Sequence, residues 1–377
     1  MNKKISNLNP FLLSGYVSPE YFCDRQAETE KIISALENGR NITLISPRRM
    51  GKTGLIRHVF SLLSKRDDCA CYYVDLYQTD SLASLVNKLG NAVLGTLDST
   101  ESRIVRQVGM FFKSLRPVVS IDPMTGDPSF TIDLRPELAE RSLEEIFAYM
   151  EQSGKRCYIA FDEFHTVADY ADRNVEALLR SHIQHLTKVG FIFSGSQRHV
   201  FENMFVSVSR PFYQSTQMMQ LDCIDVKAYY SFASEKLEAN GQILTEDDFE
   251  YLYYKLFGHT WYIQMTMNRL YESGIKLLTR NDIDSLLEQV VQENEATYQT
   301  FVKLITNFQE KVMRAVAIEG NARELLGQAF IRRHQLSSPS SVRSAMNALI
   351  DKELLLDVGD SVQVYDRFFA LWLRIGR

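Results

Sequence analysis

The chain has 377 residues, 45% of them apolar and 24% charged, an ordinary globular composition long enough for two or three domains. Its net charge of −5 supplies no global field that would gather nucleic acid. The five cysteines (Cys23, Cys69, Cys71, Cys157, Cys223) form no C-x-x-C pair, Met1 to Leu13 hold no signal-peptide core, and no apolar run nears the about 18 residues of a membrane helix, so a cytoplasmic protein is expected.

Tyr16 to Glu28 lead into an amphipathic helix ending near Glu37. A short apolar run, Ile42-Thr43-Leu44-Ile45, then meets Ser46-Pro47-Arg48-Arg49-Met50-Gly51-Lys52-Thr53, and an apolar-periodic segment opens at Leu55-Ile56. Strand, loop and helix in that order are the context of a phosphate-binding P-loop. Gly51 lets the backbone approach a phosphate, and the helix N-terminus adds partial positive charge. Lys52 is placed to reach the β- and γ-phosphates of ATP, and the Thr53 hydroxyl to ligate Mg²⁺. Ser46 departs from the strict pattern, which begins with glycine.

Cys71 to Leu76 reads as an aromatic-rich strand, and Ser81 to Leu97 as a helix. Two alternating runs flank a Pro/Gly/Asp turn between Arg116 and Leu134, which predicts a hairpin inserted on the core. After a helix over Ser142 to Gln152 comes Cys157-Tyr158-Ile159-Ala160-Phe161-Asp162-Glu163, an apolar strand ending in two acids. In open α/β sheets ligands bind at that edge. Asp162 suits a Mg²⁺ ligand there, and Glu163 a general base for water. A further strand, Val189 to Phe193, ends in Ser194-Gly195-Ser196, and Ser194 or Ser196 is placed to sense the γ-phosphate. Met218 to Ile224 reads as the last core strand, with Cys157 and Cys223 as buried thiols. His182 and His185 share a predicted helix face, but neither they nor His199 has an acidic or thiol partner at ligand spacing, so they read as surface histidines.

From Asp225 the pattern turns helical through Glu295. Beyond Ala296, helices over Phe308 to Ile318, Ala322 to Phe330 and Ser338 to Ile350 precede a hairpin around Gly359-Asp360, which is a winged helix-turn-helix. This stretch carries 11 Lys and Arg against 8 Asp and Glu, a net +3 that leaves −8 for the rest. Arg343 and Asn347 suit base contact, and Arg332 and Arg333 phosphate contact, a thin footprint for a DNA partner.

Asn9-Pro10-Phe11, Phe22-x-x-Arg25-x-x-Glu28, Pro47-Arg48-Arg49-x-Gly51-Lys52-Thr53, Asp162-Glu163, Ser194-Gly195-Ser196 and Gly258-His259 together resemble the archaeal-type ATPases among the AAA+-related STAND P-loop NTPases. The resemblance implies an α/β core with a parallel sheet of AAA+/ASCE type over 1–224, an all-helical lid over 225–295 and a winged helix-turn-helix over 296–377. It implies nucleotide contacts from Phe22, Arg25, Ser46, Pro47, Arg48, Arg49, Met50, Gly51, Lys52, Thr53, Leu55 and His259, metal contacts from Thr53 and Asp162, and catalysis by Glu163, Lys52, Ser194 and Ser196. The expected function is an ATP-hydrolysing switch. The alternative is a nucleotide-gated DNA- or protein-binding regulator with negligible turnover, because Ser215 stands where the family has an arginine.

Overall fold

A computed structural model of the chain describes residues 8–95, 113–114, 116–121, 128–172 and 174–375. They fall into two compact units, one spanning Ser14–Asp225, the other joining the residues up to Leu13 with those from Val226 onward.

The first unit is built on five parallel strands: β1 (Ile42–Ile45), β2 (Cys69–Asp75), β5 (Arg156–Asp162), β6 (Val189–Gly195) and β7 (Gln217–Gln220). Their spatial order is β2-β5-β6-β1-β7, so one strand, β6, separates the P-loop strand from the strand ending in Asp162. β1 is buried along its whole length, as expected of a strand covered on both faces. Helices α1 (Gln26–Glu37) and α2 (Lys52–Leu63) cover one face; Ile32, Leu36, Ile56 and Val59 pack there against Tyr158, Ala160 and Ile192. Helices α3 (Leu82–Leu94), α4 (Ala139–Gln152), α5 (Val175–Ile183) and α6 (Arg198–Val206) cover the other, against Cys157, Ile159, Phe161, Phe191 and Phe193.

This two-residue alternation positions the site. Side chains of a strand point to opposite faces in turn. Tyr158 and Ala160 face α1 and α2, so Asp162, next in the same parity, faces α2 and the P-loop. Ser194 shares the parity of Ile192 and follows the pair Phe161↔Phe193, so it arrives beside Asp162. Tyr73 packs on the same face and is in register with Ala160, two residues before Asp162.

The expected hairpin is present as β3 (Arg116–Ile121) paired antiparallel with β4 (Pro128–Asp133); its turn, 122–127, lies outside the described residues. β7 ends earlier than expected, at Gln220, and only the Leu221 amide, donating to Ile45 O at 2.9 Å, still reaches β1. Cys223 is therefore exposed rather than buried, whereas Cys157 is buried in β5.

The second unit is mainly helical: α7 (Val226–Glu238), α8 (Glu246–Lys255), α9 (Thr260–Ser273), α10 (Arg280–Glu293), α11 (Glu295–Lys303), α12 (Asn307–Glu319), α13 (Gln328–Arg333), α14 (Pro339–Asp351) and α15 (Arg367–Ile375). A two-residue parallel pair, β8 (Ile243–Leu244) with β9 (Leu277–Leu278), interrupts the helices. α14 starts where its cap predicts: Ser338 accepts from the Ser341 amide and Pro339 is the first helical residue. Hairpin strands β10 (Leu355–Asp357) and β11 (Val362–Val364) follow. Ala322 is not helical as expected; it bridges Val362, so the residues ahead of α13 serve the hairpin instead. Tyr298, Phe369 and Trp372 stack together, and Phe368 packs on Trp261 and Tyr262, joining the winged helix to the helices before it. The start of the chain belongs here too. Phe11 is fully buried against Phe232 and Tyr271, and Asn9 and Asn268 each donate to the other segment's backbone at 2.8 Å. Burying one such ring is worth about 1.5–3 kcal/mol.

Candidate functional site

The loop between β1 and α2 is a concave run of backbone. Arg49 and Gly51 both take left-handed conformations, with φ of 65° and 98°. At Gly51 this directly precedes α2, a turn that a side chain would strain. Lys52 is buried, and its amine donates to Ser46 O at 2.9 Å and Pro47 O at 3.2 Å. The Ser46 hydroxyl, 3.4 Å from the same amine, takes a further hydrogen bond from it. Burial lowers the Lys52 pKa, against the pull of Glu163 and Asp162.

Asp162 is the centre of the site. Thr53 Oγ1 donates to its Oδ2 at 2.7 Å, and the Tyr73 hydroxyl to the same oxygen at 2.6 Å. Ser194 Oγ donates to Oδ1, and the Glu163 amide reaches Oδ1 at 3.1 Å. Burial alone would raise the Asp162 pKa. The hydrogen bonds from Ser194, Tyr73 and Thr53, with the charge of Lys52, outweigh it and hold the carboxyl below its usual range.

Glu163 behaves oppositely. It takes a left-handed φ of 53° where β5 passes into a 3₁₀ turn, Phe164–Asp169. Burial raises its pKa, with Lys52 opposing and Asp162 adding to the rise. Ser196 Oγ donates to Glu163 Oε2 at 3.3 Å, so the two serines divide: Ser194 serves Asp162, Ser196 serves Glu163. His165 Nδ1 lies 3.2 Å from that same Oε2. Burial, with the charges of Arg48 and Lys52, brings the His165 pKa down to about 4, so the ring is neutral at pH 7. Gly195 keeps the serines apart from a wall: a Cβ there would sit 2.3 Å from Phe201 Cε2.

Met50 is buried and Arg49 exposed at the loop surface, with Pro47 and Arg48 half-buried. Leu55 lies wholly in the core and its amide bonds to Gly51 O. Phe22 stacks on His58 at 4.4 Å, and Tyr16 donates or accepts at His58 Nδ1 and Ser61 Oγ, both at 3.0 Å. Arg25 is buried, bonded to Glu28 at 2.7 Å and to Asp222 O at 2.6 Å, which ties the entry segment to the end of the sheet. His259 belongs to the other unit, where it precedes α9 and its ring packs on Tyr262 at 4.8 Å. Sequence spacing missed Tyr73 and His165. It also missed that Glu140 and Glu144, one turn apart on α4, bring carboxylate oxygens within 4.8 Å of a His182 ring nitrogen. His185 lies past the end of α5, so the two histidines do not share a helix face.

A nested loop ahead of a helix, a buried lysine within it, and a strand-end acid bonded to the helix's first hydroxyl define a P-loop ATPase domain. The chain belongs to the family of ATPase domains found predominantly in Archaea, whose model matches residues 22–266. A probable winged helix domain matches residues 296–375. No curated protein matches the chain. Among solved structures it is similar to the Walker-type ATPase PABY2304 of Pyrococcus abyssi, at 16% identity and a TM-score of 0.66 over 97% of this chain and 99% of that one. The ORC2 protein of Aeropyrum pernix, solved as ADPNP–ADP complexes, is similar at 13% identity and a TM-score of 0.58 over 98% and 96% of the chains. The ORC1 protein of the same organism, solved with DNA, is similar at 12% and 0.50 over 95% and 94%. At such identities these likenesses carry the fold. Among the described residues no helix is long and apolar enough to cross a membrane.

Proposed function

We propose that the chain binds and hydrolyses ATP with Mg²⁺ and acts as a STAND-type switch. In this reading the core expected over 1–224 begins at Ser14, because the residues up to Leu13 pack with the second unit, and nucleotide state repositions a lid, 225–295, and a winged helix-turn-helix, 296–377. The observation that carries the proposal is the meeting of Thr53 Oγ1 and Asp162 Oδ2 at 2.7 Å, beside the buried amine of Lys52. A hydroxyl and a carboxylate fit Mg²⁺, which takes few protein oxygens and keeps the rest of its shell for water and phosphate. Held by these two residues, the ion would supply positive charge against that developing on the triphosphate. Lys52, whose amine now donates to the loop carbonyls, would reach the same triphosphate, with the N–H groups of Arg48 to Thr53 around it. By the family pattern Phe22 and Arg25 serve the nucleotide, Arg25 by holding the entry segment, and Leu55 supports the loop from the core. Glu163 takes the proton of the attacking water, since a carboxylate whose pKa burial has raised is the stronger base. The free thiols suit a reducing cytoplasm.

Glu163→Gln tests this. The variant should bind ATP within a few-fold of the wild type and release phosphate about 10²–10⁴-fold more slowly. Undiminished release would refute the assignment.

The second reading, a nucleotide-gated regulator of DNA or protein binding with negligible turnover, draws on one observation. Arg210, the nearest candidate to replace the family's arginine, is ion-paired with Glu176, and Ser215 only closes a turn onto Phe212 O at 2.7 Å. An arginine at the γ-phosphate contributes about 10³–10⁵-fold. Phosphate release measured with and without duplex DNA separates slow intrinsic turnover from turnover that a partner stimulates.

A further inference from the structure

We propose that His165 is a positioning residue for Glu163: together with Ser196 it holds the carboxylate by Oε2 and leaves Oε1 to take the proton of the attacking water. The inference rests on the ATPase reading above.

Three observations lead to it. First, both neighbours meet the same oxygen. Ser196 Oγ donates to Oε2 at 3.3 Å, and His165 Nδ1 stands 3.2 Å from it. No hydrogen bond reaches Oε1 among the described residues. Second, the imidazole is buried, and its Nδ1 has no hydrogen-bond partner among the described residues. A buried polar nitrogen in that position gains from a small rotation that puts an N–H on Oε2. Because the ring is neutral near pH 7, one tautomer supplies that donor without adding a charge beside Lys52. Third, the ring is packed beside the turn that carries the serines. The Phe201 ring faces it at 6.3 Å, and a Cβ at Gly195 would stand 3.0 Å from His165 Nδ1 as well as against Phe201. Ser194, Gly195 and Ser196 therefore pass through a gap that only glycine fits, with His165 as one wall.

The chemical step then has a direction. The water oxygen bonds to the γ-phosphorus as the bond from that phosphorus to the β,γ-bridging oxygen breaks. The water proton passes to Oε1, and ADP leaves with the bridging oxygen's electron pair. His165 and Ser196 take no proton; they fix which oxygen does. Small misplacements of reacting groups are costly in rate, with 1 Å worth on the order of 10²-fold.

The test uses the full chain and ATP with Mg²⁺. His165→Ala should lower kcat by about tenfold or more, with KM and equilibrium ATP affinity within about twofold of the wild type. His165→Asn, whose side-chain amide reaches the place of Nδ1, should recover most of that loss. If the alanine variant does not fold, His165→Leu fills the space without a donor and takes its place. Ser196→Ala should lower kcat too, and less than additively when combined with His165→Ala, because both act on one carboxylate. Wild-type turnover in the alanine or leucine variant, beside an inactive Glu163→Gln, would overturn the positioning role and leave the ATPase reading intact. A fall in kcat that asparagine does not recover, or that comes with an equal loss of ATP affinity, would mark His165 as structural only. Wild-type turnover in Glu163→Gln itself would remove both.

Discussion

Asp162 accepts from Thr53, Tyr73, Ser194 and the Glu163 amide, while on α14 the side chains of Arg343, Ser344 and Asn347 stand exposed. The first region has its polar groups oriented before any ligand arrives; the second leaves its groups to be ordered by whatever it meets. Preorganised dipoles and charges lower a barrier because they need not rearrange during the reaction. Long exposed side chains keep their rotamer entropy until binding, which suits recognition and costs folding little. Near Asp162, then, one substitution should disturb binding, turnover or folding strongly. On α14 it should touch a partner alone.

Of the substitutions that act on binding or stability, Lys52→Ala should give the largest effect. Hydrogen bonds to charged groups are worth about 1.5–3 kcal/mol, so ATP affinity measured by calorimetry should fall at least about tenfold. Thermal stability should not fall with it, because burial of the amine opposes its charge. A parallel loss of melting temperature would show that the lysine holds the loop rather than the nucleotide. Gly195→Ala comes next. Its methyl would press on Phe201, and overpacking costs about 1–3 kcal/mol. Denaturant unfolding should show that loss; unchanged stability would mean that Phe201 yields freely and that the wall beside His165 is soft. Arg343→Ala should be smallest, within about 0.5 kcal/mol in stability. If duplex DNA is the partner, the slope of log affinity against log salt should shrink by about one for a lost phosphate contact, or binding should lose sequence preference for a lost base contact. No change in either would remove Arg343 from the contact surface.

How much of this was legible beforehand depended on whether a motif is local. The P-loop, Asp162 with Glu163, and the two serines each sit at the end of a strand, where a short run of residues states both the element and its edge. The strands' pleat then explains why Asp162 and Ser194 meet on the α2 face. Tyr73 and His165 were not legible, because strand register and a turn's backbone bring them in, and one sequence does not state register. The division between Ser194 and Ser196 likewise needed three dimensions. Cys223 misled because apolar neighbours suggested a strand that ends at Gln220. The Asn9-Pro10-Phe11 segment precedes the core in sequence but packs on α7 and α9 in the second unit, a pairing across more than 200 residues that periodicity cannot show.

In the proposed function Thr53 and Asp162 hold Mg²⁺ for a nucleotide cradled by the loop from Ser46 to Thr53. ATP affinity of the wild type and of Asp162→Asn, each measured with Mg²⁺ and with chelator, tests it most directly. Wild-type affinity should fall at least about tenfold when the ion is chelated, about 1.4 kcal/mol, and the asparagine variant should lose most of that difference. Equal wild-type affinity with and without Mg²⁺, or an asparagine variant that keeps the full difference, would contradict it.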